Sequence, residues 1–147
     1  MTAIHRLVAA CREGTHAPAV ARLPSGWLVL GERQVFTGYC LLLPDPVVPD
    51  LNALDGAARL RFLTDMALAG DVLLETCGAL RINYAMFGNV EPALHAHLFP
   101  RRADEPPATR ISQPWALDWN LAPPFAGDVH GTLQAQLAAG IGERLLR

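Results

Sequence analysis

Apolar and polar positions alternate in strict period two along Leu94-His95-Ala96-His97-Leu98, within the segment from Ala93 to Phe99. Side chains two apart on a strand share a face, so Leu94, Ala96 and Leu98 are predicted to turn inward and His95, His97 and Phe99 outward. Two residues along a strand advance ~6.5–7 Å, which sets the two imidazoles side by side. Upstream, Ile4, Leu7, Val8 and Cys11 carry the spacing of a short opening helix. Residues 20–23 and 27–30 flank Pro24-Ser25-Gly26 and read as a hairpin, followed by a turn at Gly31-Glu32. The apolar run 38–43, closed by Pro44, has the pattern of a buried central strand. From Asp55, an expected N-cap, Leu60, Leu63, Ala67 and Leu74 form a helical stripe ending before Gly78, with Gly70-Asp71 as a point of interruption. A strand over 81–86 and a turn at 87–89 then lead into the histidines. Past Arg102 the prolines and aromatics around Pro106, Trp115, Trp119 and Phe125 predict an ordered arm or lid rather than a helix. Asp128 is expected to cap a last helix carrying Val129, Leu133, Leu137, Ile141 and Leu145 at i+4 steps.

These elements predict an α+β fold: an antiparallel sheet of about five strands with helices on one face, followed by a C-terminal arm and helix. With 147 residues, 51% apolar, the chain fits a single domain over 1–147, its core at about 20–102 and its arm and last helix at 103–147. A net charge of −2 without any basic run argues against nonspecific nucleic-acid binding, which needs clustered cations. All 12 cationic side chains are arginine, so lysine chemistry is excluded. Cys11, Cys40 and Cys77 are odd in number and widely spaced, and neither a secretory leader nor a run of ~20 apolar residues is visible, so a cytoplasmic protein without a membrane span is expected. The cysteines read as small core residues, or alternatively as part of a metal site with His95 and His97, although no Cys-x-x-Cys pair is present.

Imidazole titrates near neutrality, so one of two neighbouring histidines can attack phosphorus and carry a nucleotidyl group while the other, protonated, holds a phosphate oxygen. The run Gly88-Asn89 followed by His95-Ala96-His97-Leu98-Phe99-Pro100-Arg101 resembles the signature of the histidine triad family, in which three histidines alternate with apolar residues. Aligned on Pro100-Arg101, His95 takes the place of the family's nucleophile and His97 that of the third histidine, whereas Ala93 replaces the first. The resemblance assigns Asn89 to the phosphate-contacting amide, and Asn83 stands where many members also have asparagine. In the family the nucleophile's second ring nitrogen donates to the main-chain carbonyl of the first triad position, a carbonyl that Ala93 retains. Residues 38–43 with Pro44-Asp45-Pro46-Val47 and Asp50-Leu51 are similar to the family's second block, closest to the branch of diadenosine polyphosphate hydrolases, although Gly31 and Tyr39 stand where that branch often has asparagine and histidine.

The resemblance implies a HIT-like fold, a homodimer, and a hydrolase or transferase cleaving at the α-phosphate of a dinucleoside polyphosphate or related conjugate through a nucleotidyl-histidine. It implies no tightly bound cofactor and no protein metal ligand, with Mg2+ accompanying a polyphosphate substrate. The substrate-binding set is then Asn89, Asn83, Arg101, whose guanidinium fork suits phosphate, and Trp27, placed either to stack on a base or as a core aromatic. Trp115 or Trp119 either lines the pocket or packs on the core. A non-enzymatic nucleotide-binding or regulatory module on the same fold is the alternative.

Overall fold

Five strands, β1 (Ala19–Leu23), β2 (Gly26–Leu30), β3 (Cys40–Pro44), β4 (Arg81–Ala85) and β5 (Ala96–Arg101), pair antiparallel in one open sheet of order β1-β2-β3-β5-β4 in the computed structural model, which describes residues 1–147. Val29 sits opposite Leu41, Leu41 opposite His97, and His97 opposite Ala85, so these four form a row across one face. Leu28, Leu30, Cys40, Leu42, Ala96 and Leu98 turn to the other face and are fully buried. Period two thus holds across the sheet, and the inward set of the histidine segment belongs to the main core as expected.

Two helices cover that core face. In α2 (Gly56–Cys77) the Asp55 carboxylate accepts from the Ala58 backbone N–H at 2.8 Å, and Gly78 closes the far end. The helix runs through Gly70 without interruption. Its missing side chain makes room for Tyr84, since a Cβ at Gly70 would lie 2.0 Å from the Tyr84 hydroxyl oxygen. The last helix, labelled α4 (Gly127–Leu145), adds Leu137 and Ile141 to the same cluster as Phe62, Val72 and Leu73, so the core extends well beyond residues 20–102.

The last helix departs from expectation in two ways. Asp128 lies in its first turn rather than at the cap; the cap is Ala126, whose N–H donates to Nδ1 of the buried His130 at 3.0 Å. Of the i+4 row, Leu137 and Ile141 are buried while Val129 is 68% exposed and Leu145 39% exposed. Four residues turn a helix by about 400°, so such a row drifts about 40° per step and leaves the core at both ends.

Helices are not confined to one face. The opening helix, α1 (Ala3–Glu13), packs Ile4, Val8 and Cys11 against Val29, Leu43 and Ala93 on the histidine side of the sheet. That half of the front face is aliphatic and requires cover. Thr2 and His5 form a reciprocal cap at the start of α1, and the Glu91 carboxylate accepts from the Ala3 N–H at 3.1 Å. The loop that delivers the histidines is thereby tied to the helix above it.

The arm covers the other half. A single turn, α3 (Pro107–Arg110), and short 3-10 turns at Pro114–Ala116 and Trp119–Leu121 follow a path pinned by Arg101. Its guanidinium donates to the Glu105 carboxylate, the Asn83 side-chain oxygen and the backbone oxygens of Thr109 and Ser112, all within 3.2 Å, while its face lies 4.4 Å from the Phe36 ring centre. Both members of the Arg101–Glu105 pair are buried, with side chains 9% and 8% exposed. Removing one partner of such a pair strands the other's charge. Arg101→Leu is therefore expected to cost about 3–5 kcal/mol in urea denaturation followed by tryptophan fluorescence, and the Arg101→Leu/Glu105→Leu double variant to be more stable than the single one. A single variant as stable as the parent would remove the pair from its anchoring role.

Candidate active site

His95 stands just ahead of β5 and His97 lies within it, their ring centres 4.9 Å apart at an interplanar angle of 72°. Both are half-buried. Nδ1 of His95 lies 2.8 Å from the carbonyl oxygen of Ala93. A carbonyl only accepts, so Nδ1 carries the proton and the neutral ring presents its lone pair at Nε2. The bond is made by the backbone of position 93, not by its side chain. Ala93 itself is fully buried beneath α1 with Ile4, Val8 and Leu43.

His97 has a different environment. Its Nδ1 is 2.6 Å from the Tyr39 hydroxyl, its ring runs nearly parallel to those of Tyr39 and Phe99, and Trp115 meets it edge-on at 5.0 Å. Burial among these rings, with a secondary contribution from charge on His95, pushes the His97 imidazole down to about 4. This overturns the expectation of a protonated second histidine, because at neutral pH His97 is an uncharged hydrogen-bonding group. Trp115 and Trp119, with rings 5.8 Å apart, descend from the chain's own arm, and Trp119 meets Tyr39 edge-on at 5.5 Å.

Two clefts lie near the pair; His95 lines the smaller, and the larger reaches the site through Tyr39 and Leu41 without being lined by either histidine. One, of about 460 Å³, is lined by Ala3, Arg6 and Leu7 of α1, by Gly31, Glu32 and Arg33, and by Tyr39, Leu41 and Trp119. The other, of about 280 Å³, lies against His95 between residues 49–52 and 86–88 and contains Asp50 and Asn52 but no arginine. The contribution of α1 and Glu32 carried no local signal in the sequence, since the sheet brings them to the site from far along the chain.

The remaining expected site residues are dispersed. Asn89 is exposed in the loop before His95, next to Gly88, which lines the smaller cleft. Asn83 accepts from Arg101 through its side-chain oxygen and faces a separate cleft of about 780 Å³ between β4 and the arm, which neither histidine lines. Arg101 has every N–H committed inside the chain, so its fork holds the arm rather than a substrate phosphate. Trp27 donates its indole N–H to Asp45 at 3.0 Å, lies under the Arg22 guanidinium, and lines neither cleft beside the histidines, which favours its structural reading. All three cysteines are buried, with thiols pushed up chiefly by burial, and no group of three metal-ligating side chains gathers anywhere. No helix is long and apolar enough to cross a membrane.

No protein-family model and no curated protein matches the chain by sequence. Solved structures do match by fold. A histidine triad protein from Marinobacter aquaeolei superposes with a TM-score of 0.76 at 18% identity, covering 97% of this chain and 98% of that one. A histidine triad (HIT) protein from Sinorhizobium meliloti gives 0.72 at 20% identity over 87% and 93% of the two chains. A hypothetical histidine triad nucleotide-binding protein from Sulfolobus tokodaii gives 0.73 at 14% identity over 94% and 92%. The chain therefore has the fold of histidine triad proteins.

The depressed His97 value also affects stability. Below pH 6.5 the unfolded chain takes up a proton on this residue that the folded chain refuses until about pH 4. Stability contributed by His97 is thus complete above pH 6.5 and declines as pH falls through that window. NMR titration of the His97 ring is expected to give a midpoint near 4, and the pH dependence of unfolding over this range to flatten in His97→Asn. A midpoint at the ordinary 6.5 would contradict the burial argument.

Proposed function

We propose that the protein is a nucleotide hydrolase or nucleotidyl transferase in which His95 is the nucleophile. The carrying observation is the hydrogen bond from His95 Nδ1 to the Ala93 carbonyl, which fixes the reactive tautomer without a side chain at position 93. Nε2 attacks the α-phosphorus of a nucleotide conjugate, a P–N bond forms as the bond to the leaving group breaks, and water then displaces histidine to release the mononucleotide. His97 and Asn89 hold the nonbridging oxygens, where donors placed at developing charge contribute most to catalysis. The larger cleft suits a nucleoside: Leu7, Leu41 and Trp119 offer apolar and aromatic surface, and Glu32 an acceptor for ribose hydroxyls. The leaving group falls on the Asp50 side, where extra phosphates would meet a carboxylate and no arginine. That distribution favours a phosphoramidate or other conjugate with a leaving group free of phosphate over diadenosine polyphosphate. Mg2+ would arrive with a polyphosphate substrate rather than through a protein ligand.

β4 is one of the two edges of the sheet, and the exposed Leu80, Tyr84 and Phe87 beside it give two copies a surface on which to pair. Sedimentation should report a dimer that Tyr84→Arg weakens; a monomer at all concentrations would remove this part of the proposal.

The enzymatic test incubates the protein with adenosine phosphoramidate, diadenosine triphosphate and diadenosine tetraphosphate. AMP release is expected, fastest from the phosphoramidate and lost in His95→Ala, with an acid-labile AMP adduct on His95 after rapid quenching. Tight AMP binding without turnover of any of the three would instead identify a nucleotide-binding module.

A further inference from the structure

Position 39 and position 31 are coupled by direct contact in the structure. The Tyr39 ring lies flat across Gly31: a Cβ built there would fall 2.3 Å from two of its ring carbons. Only a residue without a side chain at 31 lets the ring occupy this place. The loop between them is braced by the buried Gln34, whose amide donates to the backbone oxygens of Gly31 at 2.8 Å and Tyr39 at 3.0 Å and accepts from the Gly38 N–H at 2.9 Å. Gly31 N–H in turn donates to the Tyr39 carbonyl at 2.9 Å. Gly38 has φ +95° and no space for a side chain, with Cys77 Sγ 2.7 Å from an ideal Cβ. Backbone, amide and glycines thus fix the point from which the tyrosine ring leaves the chain.

At the far end of that ring the hydroxyl oxygen is 2.6 Å from Nδ1 of His97. Tyr39 is 3% exposed, and its hydroxyl has no other hydrogen-bond partner in the chain. If Nδ1–H were the donor, the hydroxyl hydrogen would be buried without an acceptor. If the hydroxyl donates, both groups are satisfied and the histidine proton resides on Nε2. Burial pushes the phenol up and the imidazole down, which keeps the first protonated and the second neutral.

We infer that Tyr39, seated on Gly31, is the positioning residue of His97: its hydroxyl donates to Nδ1 and holds the ring in the tautomer whose Nε2–H is left to meet a phosphoryl oxygen. The two histidines are thereby set in opposite tautomers by different partners. The Ala93 carbonyl gives His95 a lone pair at Nε2, suited to attack; Tyr39 gives His97 a proton at Nε2, suited to donation. The catalytic half of this inference rests on the proposed nucleotidyl transfer, whereas the tautomer assignment does not.

Long-range proton–nitrogen NMR of the free protein reads the tautomers directly. His97 is expected to show a protonated Nε2 and an unprotonated, hydrogen-bonded Nδ1 at pH 7, and His95 the reverse. Tyr39→Phe keeps the ring and deletes the donor, and Gly31→Ala keeps the hydroxyl but displaces the ring. Both should turn His97 into a mixture of tautomers while the His95 signals stay in place. On the phosphoramidate, Tyr39→Phe should lose roughly 10–100-fold in kcat with KM little changed, as expected for loss of a group that orients an active-site histidine; Gly31→Ala, which also moves a ring lining the cleft, should lower kcat and raise KM, and Tyr39→His, which restores a ring donor, should recover part of the kcat. A wild-type His97 protonated at Nδ1 overturns the assignment without recourse to any variant. An unchanged tautomer and kcat in Tyr39→Phe would reduce Tyr39 to packing. If the wild type turns over no substrate, the proposed function fails while the NMR result still decides the role of Tyr39.

Discussion

The site depends on how β5 is held in the sheet. Ala96 and Leu98 are completely buried against α2 and α4, and neighbouring strands flank them on both sides. Any slip of one residue would carry these side chains to the front and drive His97 and Phe99 into the aliphatic core. The desolvation cost of burying an imidazole among Leu28, Leu42 and Phe62 makes that register far less favourable. The histidine pair is therefore set out on the front face by residues that never touch a ligand.

A sheet edge and a half-covered face would leave the histidines in water, and two additions prevent this. On one side α1 seals the aliphatic half of the front face and ends against the loop that delivers His95 through Glu91. On the other, the arm lays Trp115 and Trp119 over Tyr39, His97 and Phe99. Arg101, the last residue of β5, gathers the arm onto the strand. The same aromatic cover that excludes water from His97 lowers its proton affinity, so the fold of the arm and the protonation state of the site are one physical effect. Water exclusion also strengthens any hydrogen bond that His97 makes to developing charge.

Position 93 holds His95 through its backbone, so no side chain is needed there for that contact. Its small side chain lets α1 pack closely, and Ala93 shares a cluster with Ile4 and Val8. The second ring is oriented by Tyr39, on a separate loop. Orientation of the two histidines is thus divided between a carbonyl four residues ahead of β5's second position and a hydroxyl 58 residues away in sequence.

Much of the architecture was legible because it is written in near neighbours. Alternation over 94–98, the hairpin around Pro24-Ser25-Gly26, whose Gly26 the structure places in β2, the Asp55 cap and the i, i+3, i+4 spacing of α1 each depend on residues a few positions apart, and all appear in the structure. The resemblance at Gly88-Asn89 and His95–Arg101 led to the right fold and to the carbonyl bond of His95. What the tertiary structure decided involves partners far apart in the chain. Arg101 became an anchor because residues 105–112 fold back onto it, Trp27 was occupied by Asp45, and α1 crossed to the face opposite the other helices. His97 became a neutral ring because Tyr39, Trp115 and Phe99 converge on it from separate segments. Local pattern determines which way a side chain faces; only packing determines what it meets there, and hence its charge.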